Sequence, residues 1–466
     1  MSHQFHPSIL REYDIRGTIG KTLGGDDAHA LGRSFGTRVL RDGRRTVAVG
    51  YDGRLSSPML EEALVAGLCA SGVDVRRIGL GPTPMLYYAA ASLPEVQDGI
   101  QITGSHNPPD QNGFKVVFRG GPFFGPDILD LGRLAAQGDW AQGDGAAESV
   151  NIMDAYVERL LAGLEGIAPD AGKHLFPESL AIAWDTGNGA AGPVVERLVA
   201  RLPGRHVLLH THVDGLFPGH HPDPSVEANL ADLRQSVARG RLDFGLAFDG
   251  DGDRLGVVDS RGRALAGDQL LMVFAEDVLK RQAGATVIAD IKASGALFDR
   301  VRALGGEPLM WKTGHSHIKS KMKETGALLG GEMTGHVFLA DDYYGFDDAL
   351  YAAVRLIAAT IRLGRTVTEL RDAMPAMVNT PELRFPVDET RKFAVIDEVR
   401  TRLAAQGADM VSIDGVRVTT PQGWWLLRAS NTEAMLTARA ESESEAGLAA
   451  LLAALDAQLA ASGIRR

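Results

Sequence analysis

The chain has 466 residues, 45% of them apolar and 23% charged, an ordinary globular composition with room for about three domains. A formal net charge of −11 argues against a nucleic-acid partner, and no run of about 18 apolar residues is present to span a membrane. The single cysteine, Cys69, rules out an intrachain disulfide, and the start Met-Ser-His-Gln-Phe-His-Pro lacks the regions of a signal peptide, so a cytoplasmic protein is expected.

In chain order, the first basic candidate is Arg16, in Glu12-Tyr13-Asp14-Ile15-Arg16-Gly17. Thr46-Val-Ala-Val-Gly-Tyr-Asp52 then reads as a buried parallel strand reaching a turn and a helix start. A second apolar run, from Gly99, ends in Thr103-Gly-Ser105-His106-Asn-Pro-Pro-Asp110. Here the glycine is expected to free the backbone and the two prolines to stiffen the exit, so the Ser105 hydroxyl is held still and accessible for a covalent group. Lys115 follows, beside another glycine.

The same pair of runs recurs twice. Leu180–Asp185 is followed by Phe244–Asp249, and Thr286–Asp290 by Leu328–Glu332, which points to a threefold structural repeat with its polar loops at the carboxyl ends of strands. The second repeat ends in Asp249-Gly-Asp251-Gly-Asp253-Arg254. Three carboxylates on alternate residues can converge on one hard cation, Mg²⁺ or Ca²⁺, and the return to an apolar run at Leu255 argues against an EF-hand. His210, His212, His220 and His221 match no zinc spacing and are read as loop histidines. In the third repeat Glu332-Met-Thr334-Gly-His336 sets an acceptor, a hydroxyl and an imidazole on one loop, suited to sugar hydroxyls.

After about residue 376 the pattern changes to strands at Val416–Thr420, Trp424–Arg428 and Met435–Ala440, then a helix burying Leu448, Leu451, Leu452, Leu455 and Leu459. Arg428-Ala-Ser430-Asn431-Thr432 leaves a strand with the groups of a phosphate cradle. The fold expected is α/β: three topologically similar mixed-sheet α/β domains (1–148, 149–263, 264–375) and a C-terminal α+β domain (376–466) around a central cleft, with a hinge near Pro375.

Together, Thr-Gly-Ser105-His-Asn-Pro, Asp249-Gly-Asp-Gly-Asp-Arg254, Gly331-Glu-Met-Thr-Gly-His336 and Arg428-Ala-Ser-Asn-Thr432 resemble the α-D-phosphohexomutase superfamily in order and spacing, closest to its phosphomannomutase/phosphoglucomutase branch. The resemblance implies a phosphoserine at Ser105 and Mg²⁺ on Asp249, Asp251, Asp253 and that phosphoserine. It implies glucose or mannose 1,6-bisphosphate as activator and hexose phosphates as substrates, with a monomer expected and a dimer as the alternative. By the same resemblance Tyr13, Arg254, Lys292, His315, Glu332, Thr334, Arg428, Ser430, Asn431 and Thr432 contact substrate. Lys115 and His336 are the acid/base candidates, Arg16 steers charge, and His106 is counted with them and Ser105 among the catalytic residues. Thr334 stands where Ser is commoner in the family, and Ala434 where Pro is frequent.

Two other classes compete with the mutase. A serine hydrolase built on Ser105 lacks the G-x-S-x-G elbow and leaves the aspartates idle. A metal-dependent sugar-phosphate binding protein without turnover leaves Ser105 and Lys115 without a task. Within the mutases, a phosphoglucosamine mutase is the alternative, although that branch has Gln where Met333 stands.

Overall fold

Strand Thr46–Tyr51 lies between Asp74–Leu80 and Asp98–Ile102, parallel to both, and Gln111–Phe118 runs antiparallel beside the latter. The second and third sheets repeat this plan. Ala181–Asp185 lies between Arg205–Leu209 and Phe244–Phe248, with Leu255–Asp259 antiparallel outside. Thr286–Asp290 lies between Glu307–Trp311 and Leu329–Gly331, with Val337–Leu339 antiparallel outside. The computed structural model describes residues 2–165, 167, 177–430 and 433–465.

The two apolar runs of each repeat are therefore neighbouring parallel strands, and both loops they carry emerge at the same sheet edge. That places the chemistry-bearing segments at strand carboxyl ends, where side chains from adjacent loops can meet. Strand Ala147–Ser149 adds to the first sheet and Ala264–Leu265 to the second, so each sheet reaches slightly beyond the expected limits of 148 and 263. The first linker, around Gln142–Ala147, is not a free tether: Gly143 and Gly145 donate to Ala70 and Cys69.

One apolar core runs through all three repeats. It joins Leu86 and Val117 to Tyr156, Trp184 and Phe248, and these to Phe274 and Leu350. The fourth domain is an antiparallel sheet ordered around Gly423–Ala429 and Met435–Ser442, backed by helices Lys392–Ala405 and Glu445–Ala461. Its core is separate, built on Val399, Trp425, Leu436 and Leu455. In the last helix Leu448, Leu451, Leu455 and Leu459 are buried as the periodicity predicts, and Ser444 caps its start by accepting from the Gly447 N–H.

Candidate active site

Ser105 lies in a turn closed by the Asn107 N–H on the Gly104 carbonyl, 2.9 Å. The backbone freedom expected of Gly104 falls on Ser105 itself, which holds φ 49° in the left-handed region. Gly104 is required for a different reason: a Cβ there would stand 2.4 Å from the Arg54 guanidinium. The serine is 2% exposed, and its Oγ donates to Asp249 Oδ2 at 2.8 Å with His106 Nδ1 at 3.0 Å. Burial, then Arg254 and Arg16, push His106 well below the ordinary histidine range, so the ring beside Ser105 is neutral. Arg16 is held by Asp14 and donates to Gly104 O and Asn107 Oδ1, each at 2.8 Å.

The metal-type loop meets this turn directly. A Cβ at Gly250 would lie 2.3 Å from the Ser105 carbonyl oxygen, so only glycine lets the two loops touch. Asp249, Asp251 and Asp253 are fully buried, and oxygens from all three lie within 4.8 Å of one another. The Lys115 ammonium sits between Asp251 Oδ2, at 2.7 Å, and Asp253 Oδ2. Thr83 Oγ1 donates to Asp251 Oδ2 at 2.6 Å, whereas Asp251 Oδ1 has no partner among the described residues. An all-oxygen set, a buried oxygen left unsatisfied and a cation already drawn between the carboxylates fit a hard divalent cation.

His336 binds the second and third domains. Its Nδ1 is 2.9 Å from Glu332 Oε2 and its Nε2 is 3.3 Å from Asp253 Oδ1. Burial opposes its charge, but Asp253 and Glu332 outweigh burial and raise it to about 9. Lys115 is likewise raised, with Asp251, Asp253 and Asp249 overcoming burial. Burial disfavours the Glu332 carboxylate, yet His336, Lys292 and the Gly314 N–H at 2.7 Å bring it down to about 2. At neutral pH Lys115 and His336 are therefore cationic, whereas burial keeps the imidazoles of His106 and His315 neutral.

A cleft of about 1080 Å³ opens between the domains, lined by His106, Arg254, Lys292, Thr334, Arg428 and Ser430. Arg428 is aimed by Asp414, 3.2 Å from its Nε, and Asp414 also accepts from the Thr313 N–H at 3.1 Å. Tyr13, Lys115 and His315 line a second cavity of about 560 Å³ between the first and third domains. There Tyr13 donates to the Thr313 carbonyl at 3.1 Å, and His315 Nδ1 stands 3.6 Å from Asp347 Oδ2. Glu332 is engaged by His336 and Gly314 rather than lining the cleft. Asn431 and Thr432 lie outside the described residues.

Three site residues escaped the sequence reading. Arg54 follows the first repeat strand in Asp52-Gly-Arg54, a stretch legible only as a turn. Thr83 sits in Gly-Pro-Thr-Pro, an unremarkable loop, and Asp414 in a surface-like Ile-Asp-Gly. A charged or polar residue just past a repeat strand was the available signal for Arg54 alone.

Four family models match the chain in order: phosphoglucomutase/phosphomannomutase alpha/beta/alpha domain I over residues 7–136, domain II over 154–262, domain III over 266–377 and the C-terminal domain over 382–458. The chain is 43% identical over 438 residues to a phosphomannomutase/phosphoglucomutase of Pseudomonas aeruginosa, covering 94% of this chain and 92% of that protein. It is 41% identical over 444 residues to a phosphoglucomutase of Neisseria gonorrhoeae, covering 94% of each. Among solved structures, a phosphoglucomutase/phosphomannomutase family protein from Burkholderia thailandensis matches with a TM-score of 0.91 and 43% identity over 99% of this chain and 98% of that one. The Paramecium phosphoglucomutase pp63/parafusin, at 17% identity and TM-score 0.74 over 99% and 96%, shares the fold.

Proposed function

The chain belongs to the phosphoglucomutase/phosphomannomutase family of the α-D-phosphohexomutase superfamily, and from that premise we propose that it moves a phosphoryl group reversibly between C1 and C6 of hexose phosphates, glucose and mannose 1-phosphate being the substrates. The observation that carries the reading is the Ser105 hydroxyl, buried and hydrogen-bonded to Asp249, one of three buried aspartates from a second domain. A hydrolase has no use for those aspartates, and a simple binding protein has none for a nucleophile placed 2.8 Å from one of them.

In this reading Ser105 is phosphorylated at rest. Asp249, Asp251, Asp253 and the phosphoserine would hold Mg²⁺, which when bound supplies the charge neutralisation that phosphoryl transfer demands. A sugar hydroxyl attacks phosphorus; its bond to phosphorus forms as the Ser105 Oγ–P bond breaks. The hydroxyl proton passes to Oγ through neutral His106, whose Nδ1 is 3.0 Å away. Lys115 and His336, both cationic, stabilise charge on the transferring group. The resulting 1,6-bisphosphate turns over in the cleft and returns its other phosphate to Ser105. Free glucose or mannose 1,6-bisphosphate would recharge a dephosphorylated enzyme.

Arg428, Ser430, Asn431 and Thr432 hold the phosphate that is not reacting. Arg254, Lys292 and Thr334 line the approach to the sugar, Tyr13 and His315 would meet it from the neighbouring cavity, Glu332 would act on it through His336, and Arg16 keeps the phosphoserine turn in place. All of these lie on one chain, so a monomer is sufficient. No described helix is long and apolar enough to cross a membrane, and a cytoplasmic enzyme is the reading that fits a sugar-phosphate substrate. The proposed domains are 1–148, 149–263, 264–375 and 376–466, with the edge strands Ala147–Ser149 and Ala264–Leu265 drawing the first two limits a residue or two later.

The test is a coupled assay with Mg²⁺ and trace glucose 1,6-bisphosphate, offering mannose 1-phosphate, glucose 1-phosphate and glucosamine 1-phosphate in parallel. Turnover of the first two is expected. Preference for the amino sugar would move the protein to the phosphoglucosamine branch, and no turnover with intact, metal-loaded protein would reject the mutase.

A further inference from the structure

Arg54 is 1% exposed, and neither the sequence motifs nor the phosphoryl-transfer scheme above give it a task. All of its terminal N–H groups are spent on one segment. Nη2 donates to Ser105 O at 2.7 Å and Asn107 O at 2.6 Å, and Nη1 to Pro108 O at 2.6 Å and Gln111 O at 2.8 Å. Asp52 stands 3.3 Å from its Nε, and Phe217, from the second domain, covers its face at 5.3 Å.

The chemistry of the segment explains why a guanidinium is there. The Asn107 and Pro108 carbonyls belong to peptide bonds whose nitrogens are Pro108 and Pro109, which have no N–H. The Gln111 N–H returns to the Pro108 carbonyl at 3.0 Å, but the two prolines bring acceptors without donors, so the run depends on N–H groups from outside. A planar fork with fixed donor directions can gather four carbonyls at once, which an ammonium cannot. Turning the Ser105 carbonyl onto Arg54 has a consequence across the trans peptide: the following N–H, that of His106, faces the opposite way. No hydrogen bond from that N–H is present among the described residues, and it belongs to the residue that directly follows Ser105.

We infer that Arg54 is a positioning residue for phosphoryl transfer, fixing the Ser105 turn in its left-handed conformation so that Oγ faces Asp249 and the His106 N–H is free for the phosphoryl oxygens. The inference rests on the mutase reading. It concerns the reacting group and not the sugar, so it predicts a change in kcat rather than in KM.

The experiment compares wild type with Arg54→Lys, which keeps the charge and loses the fork. Measured together are kcat and KM for glucose 1-phosphate, thermal stability, and the rate at which glucose 1,6-bisphosphate phosphorylates Ser105, followed by intact-mass spectrometry. A displacement of the turn by about 1 Å is expected to lower kcat and the phosphorylation rate by about 100-fold. KM is expected to stay within about twofold, because no sugar contact changes. If Arg54→Lys does not fold, Phe217→Leu, which removes only the aromatic cover, is expected to show the same pattern at smaller amplitude. Wild-type kcat in the folded variant, or a loss confined to melting temperature or KM, overturns the inference. Absence of turnover in wild type under the same conditions instead rejects the mutase reading itself.

Discussion

The first three domains and the fourth are joined to the molecule by opposite means. The repeats share one continuous apolar core, in which Trp184 stacks on Phe248 at an interplanar angle of 9°, and the first repeat holds a second core besides, around Leu31, Val49 and Leu64. The fourth domain keeps its own core and grips the loop after Asp290 with charged side chains. Arg417 donates to Ile291 O and Ala293 O at 2.6 and 2.7 Å, and Arg439 to Lys292 O at 2.6 Å. Glu441 accepts from Ser294 Oγ at 2.8 Å and from the Gly295 N–H at 2.9 Å. Among the described residues Ile291, Trp424 and Leu426 form a small apolar cluster there, with Met310 and Ile413 packed against it. A shared core resists relative displacement, whereas a polar seam can be remade at a slightly different angle. Ser105 and the three aspartates thus sit within the shared-core block and Arg428 beyond the polar seam, so that a movement of the fourth domain about Pro375 is the expectation this difference raises.

The largest effect expected is on the rigid side. Ser105→Ala removes the group that accepts the phosphoryl, so turnover is abolished, while thermal unfolding is unchanged because a turn hydroxyl contributes little packing. Activity persisting without added bisphosphate would show that the serine does not carry the phosphoryl group. Next comes packing. Trp184→Ala is expected to cost about 3–5 kcal/mol and to destabilise the three repeats together. Trp425→Ala, buried in the separate core, is expected to cost a similar amount in the fourth domain alone. Calorimetry should resolve two transitions, each moved by one variant; a single transition moved by both would erase the distinction between the regions. A smaller change is expected at the seam. Asp414→Asn weakens the hold on Arg428 and on the Thr313 N–H, lowering kcat/KM by about tenfold, mostly through KM. A loss confined to kcat would place Arg428 in the chemical step instead.

What the sequence disclosed follows the same division. The repeat strands were legible because a buried parallel strand must be apolar along its length, and each ends in an aspartate, Asp52, Asp185 and Asp290, that braces a neighbouring loop. Asp52 takes the Gly104 N–H and Ser57 Oγ, and Asp185 takes the Gly187 N–H and the His220 ring. The aspartate triplet was legible because its spacing is local. Arg54 and Thr83 were hidden because each hydrogen-bonds residues 51 or more positions away, and Asp414 because it holds Arg428, 14 positions on, together with a backbone N–H of another domain, partnerships that no local pattern encodes. The tie from Glu332 to His336 was hidden for another reason: the loop reads equally well as one turned toward sugar, and only burial decides that the carboxylate serves the imidazole.

The smallest effect is a pH limb that belongs to the rigid part alone. His336 is raised from 6.5 to about 9, and Glu332 is lowered from 4.5 to about 2. A raised histidine contributes stability that is whole below its unfolded value of 6.5 and is lost as pH climbs through about 9. A lowered carboxylate contributes stability that is whole above its unfolded value of 4.5 and is lost as pH falls toward about 2. The pair therefore stabilises fully between pH 4.5 and 6.5 and weakens on both sides. If the imidazolium stabilises the transferring phosphoryl, kcat falls about twofold by pH 9, where half of His336 has lost its proton, and more steeply above. His336→Gln should flatten that limb. Because the carboxylate partners of His336, Asp253 and Glu332, lie within the shared-core block, as do Arg254 and Thr334 beside its ring, Asp414→Asn should leave the limb where it is. A limb displaced by a change at the fourth-domain seam would mean that the two regions are electrostatically coupled after all, and that the rigid block is not a closed unit.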